Sequence, residues 1–123
     1  MIAGVGTDII EIKRVERAAT PAFIKRVYTD KEQAYCESRG AGKYASYAAR
    51  WAGKEAVLKA FGTGLRHGSL LDIEILPDEL GCPRVVLSGY FGQLAAERGI
   101  KTIWLSLSHA KEYATAQCVM EKD

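Results

Sequence analysis

The sequence has few cysteines, and their arrangement suits neither a disulfide framework nor a structural zinc site. The 123 residues contain Cys36, Cys82 and Cys118, at wide spacings and without a C-x-x-C pair. An odd number of widely spaced thiols is not typical of a secreted, disulfide-stapled protein. We therefore expect reduced thiols and a cytoplasmic location.

The chain also lacks a long apolar run and a strong charge imbalance. The first ten residues, MIAGVGTDII, have no basic leader, so we expect neither a signal peptide nor a membrane partner. The net charge of +2 is too small to indicate nucleic acid by itself. The early basic segment also lacks the regular aromatic interleaving that base stacking needs, which disfavours a nucleic-acid partner.

The hydrophobic periodicity predicts helices followed by strands. The length and the absence of linkers indicate one domain over residues 1–123. Helices in the first half and strands mostly in the second predict an α+β fold, a small domain with N-terminal helices and a mostly antiparallel sheet. The predicted helices are 10–18, 21–27, 30–39, 43–61 and 88–99, and the predicted strands are 2–7, 72–76, 84–87, 101–109 and 113–121. The first strand is expected to be buried.

The segment WAGKEAVLKAFGTG places a carboxylate and an ammonium among small residues. On the predicted helix, Ala48, Ala52, Glu55 and Lys59 share one face. An ordinary Glu–Lys surface pair explains the last two positions. The alternative is a functional face, on which the bare alanines let a ligand or a neighbouring chain approach closely.

Asp8 and the glycine turn each allow two interpretations. Asp8 is either the cap of the following helix or a magnesium ligand together with Glu55, since Mg²⁺ typically takes one or two protein carboxylates. The Gly62–Gly64 turn either only ends the helix or also lies beside a phosphate, although it lacks the P-loop pattern. His109 is either structural or part of a phosphate-binding set with Arg50, Lys54 and Lys59.

Basic side chains also mark the first two predicted helices. These are Lys13, Arg14, Arg17, Lys25 and Arg26. A solvated helix face is the ordinary interpretation of such residues. A docking surface for an acidic protein helix is the functional one.

Four motifs follow one another along nearly the whole chain: GVGTDIIEIKR, RWAGKEAVLKAFGTG, GCP and SLSHAKEYATAQCV. Together they resemble one family, the short bacterial holo-[acyl-carrier-protein] synthases, which are phosphopantetheinyl transferases. The departure at Gly53, where the family often has alanine, is expected to loosen the helix by up to about 1 kcal/mol.

The resemblance implies an activity, a metal and an assembly. It implies transfer of 4′-phosphopantetheine from coenzyme A to a serine of acyl carrier protein in fatty acid biosynthesis, by a cytoplasmic homotrimer with active sites between subunits. It implies Mg²⁺ on Asp8 and Glu55, with Lys59 as the third catalytic residue. The implied coenzyme A residues are Arg50, Lys59, Gly62, Thr63, Gly64, Gly81, Pro83 and His109. The implied carrier-docking residues are Lys13, Arg14, Arg17 and Arg26.

Two other classes of function remain compatible with the residues alone. One is a non-catalytic binder of coenzyme A or a nucleotide, which the presence of both Asp8 and Glu55 disfavours. The other is an adaptor that only binds acidic helical proteins through residues 13–26. The adaptor predicts carrier binding without magnesium dependence, whereas the enzyme predicts a gain in mass of the carrier.

Overall fold

Helices occupy most of the first half of the chain in the computed structural model, which describes residues 1–123. Thr20 caps the second helix by accepting a hydrogen bond from the Phe23 amide, and Thr29 and Glu32 form a capping box at the third. Gly62, at φ 76°, ends the fourth helix in the left-handed conformation, as predicted. The helices are α1 (Ile12–Ala18), α2 (Pro21–Val27), α3 (Asp30–Glu37), α4 (Lys43–Phe61) and α5 (Gly89–Glu97). None of them combines the length and the apolarity that crossing a membrane would take.

Two antiparallel sheets complete the fold. The larger sheet has the strand order β1-β5-β4, and β2 and β3 form a separate hairpin. All strand pairs are antiparallel, and the α+β prediction is confirmed. The strands are β1 (Ile2–Glu11), β2 (Ile73–Pro77), β3 (Pro83–Leu87), β4 (Ile100–His109) and β5 (Tyr113–Lys122).

Helix α4 lies unusually close to β1, because glycines line the strand where the two elements meet. A Cβ atom on Gly6 would overlap the carbonyl oxygen of Ala56, and one on Gly4 would overlap that of Ala60. Gly53 also allows close packing, since a Cβ there would lie 2.7 Å from Cδ1 of Ile75 on β2. Glycine at position 53, where the family often has alanine, therefore leaves room for the Ile75 side chain of the neighbouring strand.

Strand β1 corrects two sequence predictions. It extends to Glu11 and is not a buried strand, since Val5 and Ile9 are each 62% exposed. The reason is that α4 covers only one face of the sheet. Asp8 lies within the strand, and α1 begins at Ile12, so the interpretation of Asp8 as a helix cap is wrong.

Candidate active site

Asp8 and Lys59 are joined directly across the β1–α4 contact. Asp8 lies two residues beyond Gly6, on the strand face that meets α4, and its side chain is 14% exposed. Nζ of Lys59 lies 3.0 Å from Oδ1 of Asp8 and also donates to the Thr7 carbonyl oxygen at 3.0 Å. The close approach of strand and helix thus brings together two residues that are 51 positions apart in sequence.

Glu55 lies in the same cavity as Asp8, in surroundings that oppose its ionisation. Burial raises the pKa of Glu55, and the negative charge of Asp8 raises it further, while Lys59 acts in the opposite direction. A cation placed between the two carboxylates would relieve both unfavourable effects. The predicted pair of carboxylates is therefore brought together on one surface.

Glu55 also marks the junction of two pockets, which together we call the carboxylate groove. Trp51 lines the groove on both sides of this junction. Thr63, by contrast, does not line it, and its hydroxyl donates to the Gly64 carbonyl oxygen. The sequence-predicted residues that line the groove are Asp8 and Arg14 on one side, Glu55 at the junction, and Lys59, Gly62 and Gly64 on the other.

The rest of the predicted coenzyme A set lines a different cavity, which we call the arginine pocket. It contains Arg50, Gly81, Pro83 and His109 and has no carboxylate in its walls. Arg50 and Glu55 are five residues apart and so project about 140° from each other around the axis of α4. Helix α4 therefore separates the arginine pocket from the carboxylate groove. Within a single chain, the two groups of predicted coenzyme A residues do not form one continuous site.

Lys54 is a structural anchor, and its predicted place in a phosphate-binding set is wrong. It is fully buried, and its ammonium donates to Oε1 of Glu32 at 2.7 Å and to the carbonyl oxygens of Val27 and Leu70 at 2.7 and 2.8 Å. Oε2 of Glu32 accepts a hydrogen bond from the Ile75 amide. This pair ties α3, α4 and β2 together, and no donor of Lys54 remains for a ligand.

The two alanines on the face of α4 that also has Glu55 and Lys59 do not have the functional role considered for them. Ala48 and Ala52 are fully buried in the protein's own core. Their small size therefore serves the close packing of α4 against other parts of the same chain. They do not offer a surface to a ligand.

The predicted docking residues lie on α1 and α2 near one end of the groove. All four are exposed, and none forms a salt bridge within the chain. Arg14 lines the groove itself, and Arg26 lines an adjoining hollow with Phe23 and Trp51. The remaining two are Lys13 and Arg17.

Sequence reasoning missed several side chains that line these cavities, among them Trp51, Tyr35 and Arg39. Trp51 is adjacent in sequence to the predicted Arg50, but the sequence pattern does not distinguish it from an ordinary apolar residue of a helix. Tyr35 and Arg39 line the arginine pocket, although they lie between the first and second motifs and belong to neither. The segment ESRGAG contains no motif that would have marked Arg39 as part of a site.

Comparisons with known proteins give one consistent family. Residues 4–118 match the 4′-phosphopantetheinyl transferase superfamily. The holo-[acyl-carrier-protein] synthase of Ruminiclostridium cellulolyticum is 50% identical over 119 residues, which cover 94% of this chain and 89% of that protein.

Solved structures agree in fold along the whole chain. The holo-[acyl-carrier-protein] synthase from Neisseria meningitidis superposes with a TM-score of 0.91 at 36% identity, covering 99% of this chain and 100% of that one. The synthase from Bacillus anthracis, solved in complex with CoA (3′,5′-ADP), gives a TM-score of 0.84 at 37% identity and covers 100% and 99% of the two chains.

Proposed function

The chain belongs to the 4′-phosphopantetheinyl transferase superfamily, and from this we infer that it acts as a holo-[acyl-carrier-protein] synthase. It transfers 4′-phosphopantetheine from coenzyme A to a serine of acyl carrier protein, in fatty acid biosynthesis. The products are holo-carrier and adenosine 3′,5′-bisphosphate. The assignment of the active site rests on the position of Glu55. This residue lies where the two pockets of the carboxylate groove meet, one lined by Arg14 and the other by Gly62 and Gly64.

The carboxylate groove fits the magnesium ion that such a transfer would use. Asp8 and Glu55 supply two carboxylates, and no third His, Cys, Asp or Glu joins them in a cluster. Two carboxylates suit Mg²⁺, which fills its remaining positions with water and substrate phosphate, better than they suit a structural zinc ion. When bound, the ion would polarise the pyrophosphate of coenzyme A and offset its charge.

Phosphoryl transfer in the groove exchanges one bond to phosphorus for another and leaves negative charge on the departing group. The serine oxygen forms a bond to the phosphorus that carries pantetheine, while the bond from that phosphorus to the bridging oxygen breaks. The serine proton is released, and the bridging oxygen leaves with adenosine 3′,5′-bisphosphate. Lys59, which is 55% exposed beside Asp8, is placed to offset negative charge on this leaving group.

Coenzyme A would meet two surfaces in this proposal. Its pyrophosphate would lie along Lys59 and the Gly62–Gly64 turn, beside the two carboxylates. Its 3′-phosphate would enter the arginine pocket, where Arg50 and His109 offer donors and no carboxylate opposes an anion. Gly81 and Pro83 form part of the same pocket wall.

The separation of the two surfaces supports a shared active site. We propose a homotrimer in which the carboxylate groove of one subunit faces the arginine pocket of its neighbour. Exposed apolar side chains on the outer face of the large sheet favour assembly: Val5 and Ile9 are each 62% exposed, and Trp104 is 51% exposed. We also propose a cytoplasmic location.

Carrier docking is assigned to the α1–α2 end of the groove. Lys13, Arg14, Arg17 and Arg26 are exposed cations without intramolecular partners, and they would attract the acidic carrier by charge complementarity. Arg14 lies nearest to the carboxylates, since it lines the same cavity as Asp8 and Glu55. A carrier held there would present its serine to the groove.

The release of adenosine 3′,5′-bisphosphate tests this function. The protein is incubated with coenzyme A, Mg²⁺ and apo-carrier, and the nucleotide product is separated by chromatography. We expect release only when the carrier has its serine, and none with a carrier whose acceptor serine is replaced by alanine. Release that does not depend on the carrier would indicate hydrolysis and contradict the proposal.

A further inference from the structure

The arginine pocket contains an aromatic ring with two guanidinium groups beside it. Tyr35, on α3, forms part of the pocket wall. Cζ of Arg50 lies 4.4 Å from the centre of the Tyr35 ring, and Cζ of Arg39 lies 5.7 Å from the same centre. Both distances are within the range of a cation–π interaction. One ring thus contacts the two arginines of the pocket.

Arg50 is held in this position with little other support. It is 6% exposed, it forms no salt bridge, and its Nε has no hydrogen-bond partner. Its Nη1 lies 3.5 Å from the Ser46 carbonyl oxygen, at the outer limit of a hydrogen bond. A buried guanidinium normally satisfies its donors. No salt bridge and only one long hydrogen bond hold that of Arg50, and Arg50 lines the arginine pocket, so an anion in this pocket would be a favourable partner for it.

The chemistry of the pocket restricts what that partner is. Arg39, Arg50 and His109 bring three nitrogen-donor side chains to one small cavity of about 230 Å³. No Asp or Glu lines it, so a compact anion such as a phosphate monoester is favoured and a cation is excluded. A planar guanidinium binds phosphate well only if its orientation is fixed, because two of its N–H groups must point at the oxygens together.

We propose that Tyr35 is a positioning residue that orients Arg50 and Arg39 as a pair, and that Arg39 binds the 3′-phosphate of coenzyme A beside Arg50 and His109. Tyr35 and Arg39 thereby set the selectivity for coenzyme A over donors that lack the 3′-phosphate. The proposal rests on the proposed function and adds two residues to it. The ring face attracts a guanidinium without being a carboxylate, which would compete with the phosphate for the N–H groups.

The test compares two donors, coenzyme A and 3′-dephospho-coenzyme A, in five proteins. The proteins are the wild type, Tyr35→Leu, Tyr35→Phe, Arg39→Ala and the matched control Tyr44→Leu. Tyr44 is also half-buried and lies beside a cation, with Nζ of Lys43 at 5.2 Å from its ring centre, but it does not line the arginine pocket. KM and kcat are measured for each donor.

We expect Tyr35→Leu to raise KM for coenzyme A about tenfold, the size of one or two lost cation–π contacts. KM for the dephospho donor should be unchanged, so the selectivity ratio falls by the same factor. Tyr35→Phe retains the ring and should retain the wild-type ratio, as should Tyr44→Leu. Arg39→Ala should lower the ratio in the same way as Tyr35→Leu.

A direct binding measurement separates failure of this inference from failure of the proposed function. Calorimetric titration with adenosine 3′,5′-bisphosphate and with adenosine 5′-monophosphate needs no transfer activity. We expect Tyr35→Leu to weaken only the first. Equal weakening of both ligands, unchanged binding of both, or a wild type that binds them alike would overturn the inference. A protein that shows the expected binding but transfers nothing would overturn the proposed function alone.

Discussion

Glu55 and Lys59 differ in burial and in charge, so their substitution should affect different steps. Glu55→Gln removes a carboxylate charge while keeping size, and we expect weaker Mg²⁺ activation that excess Mg²⁺ partly restores. Lys59→Met keeps the apolar stem, and we expect unchanged Mg²⁺ activation with a lower kcat, because charge on the leaving phosphate is then uncompensated. The measurement is kcat against Mg²⁺ concentration.

The control for this pair is the exposed ion pair between Lys43 and Glu37, whose nitrogen and oxygen lie 3.3 Å apart. Lys43→Met should leave kcat unchanged and alter the free energy of unfolding by at most about 1 kcal/mol. If Glu55→Gln and Lys59→Met also have wild-type rates at every Mg²⁺ concentration, the two residues are an ordinary surface pair.

The three thiols should differ sharply in reactivity. Burial raises the pKa of Cys36 to about 12 and that of Cys118 to about 11, whereas Cys82 is exposed. Because the thiolate is the reactive form, we expect only Cys82 to react with Ellman's reagent in the native protein at pH 8, and all three thiols after unfolding. Fast reaction of all three in the native protein would contradict the buried positions.

The same two buried thiols predict how stability depends on pH. Their pKa values in the folded chain are raised above the ordinary value of 9.0, so the unfolded chain loses these protons first as the pH rises. Their contribution to the free energy of unfolding is therefore complete below pH 9 and decreases above it. Denaturant titrations at pH 8 and pH 10 measure the difference, and equal stability at both would be evidence against the burial of these thiols.

At the scale of elements, the contact between β1 and α4 positions the groove. Gly6→Ala must push the strand away from the carbonyl of Ala56, and we expect a loss of about 1–3 kcal/mol in the free energy of unfolding. Activity should fall further than stability explains, because Asp8 moves with the strand. Chemical denaturation and kcat at a temperature where the variant is folded measure the two effects.

Gly92→Ala is the matched control for this variant. A Cβ atom on Gly92, within α5, would lie at an ordinary distance of 3.4 Å from backbone atoms of Leu87. We expect unchanged or higher stability there, because alanine favours a helix over glycine. If Gly6→Ala behaves like Gly92→Ala, the close approach of β1 and α4 does not position the site.

Helix α1 should govern the encounter with the carrier. Arg14→Glu reverses a charge beside the groove, and we expect a higher KM for the carrier with an unchanged KM for coenzyme A. Lys31→Glu makes the same change of charge at an exposed position on α3. The effect of Arg14→Glu should shrink with added salt, because screening limits electrostatic reach to about 8 Å at physiological ionic strength. Equal KM values for the carrier in the two variants would contradict carrier docking at α1.

Sequence patterns predicted elements best where the local signals agreed. The predicted start of α3 at residue 30 and the predicted end of α4 at residue 61 agree with the structure, since helix caps and left-handed glycines act locally. The exposure of β1 could not be predicted. An apolar sequence indicates a buried strand, but it does not show whether the chain itself covers both faces of that strand or only one. The ion pair of Glu32 with Lys54 depends on the packing of three elements, which periodicity does not describe.

The site residues followed from motif resemblance, but their division between two surfaces did not. The motifs placed Arg50 and Glu55 in one functional set without saying on which side of α4 each lies. Only the packing of α4 against the sheet and α3 separates them. The same packing brought Tyr35 and Arg39 to Arg50, from a segment that has no recognised motif.

For the whole molecule, the division of the site predicts complementation between subunits. Asp8→Ala and Arg50→Ala should each be nearly inactive as pure trimers. When the two are co-expressed, sites that combine an intact groove with an intact neighbouring arginine pocket should restore activity, up to about a quarter of the wild-type sites for random mixing. Sedimentation equilibrium should give three times the chain mass. A fully active monomer, or no restoration in a mixed trimer, would contradict the shared site.

The transfer of phosphopantetheine can be observed directly as a change in the mass of the carrier protein. Apo-carrier is incubated with the protein, coenzyme A and Mg²⁺, and intact mass spectrometry follows the carrier over time. We expect a gain of one 4′-phosphopantetheine group per carrier, located on one serine by peptide mapping and slowed in Glu55→Gln and Lys59→Met. A carrier that binds the protein but keeps its original mass would contradict the account.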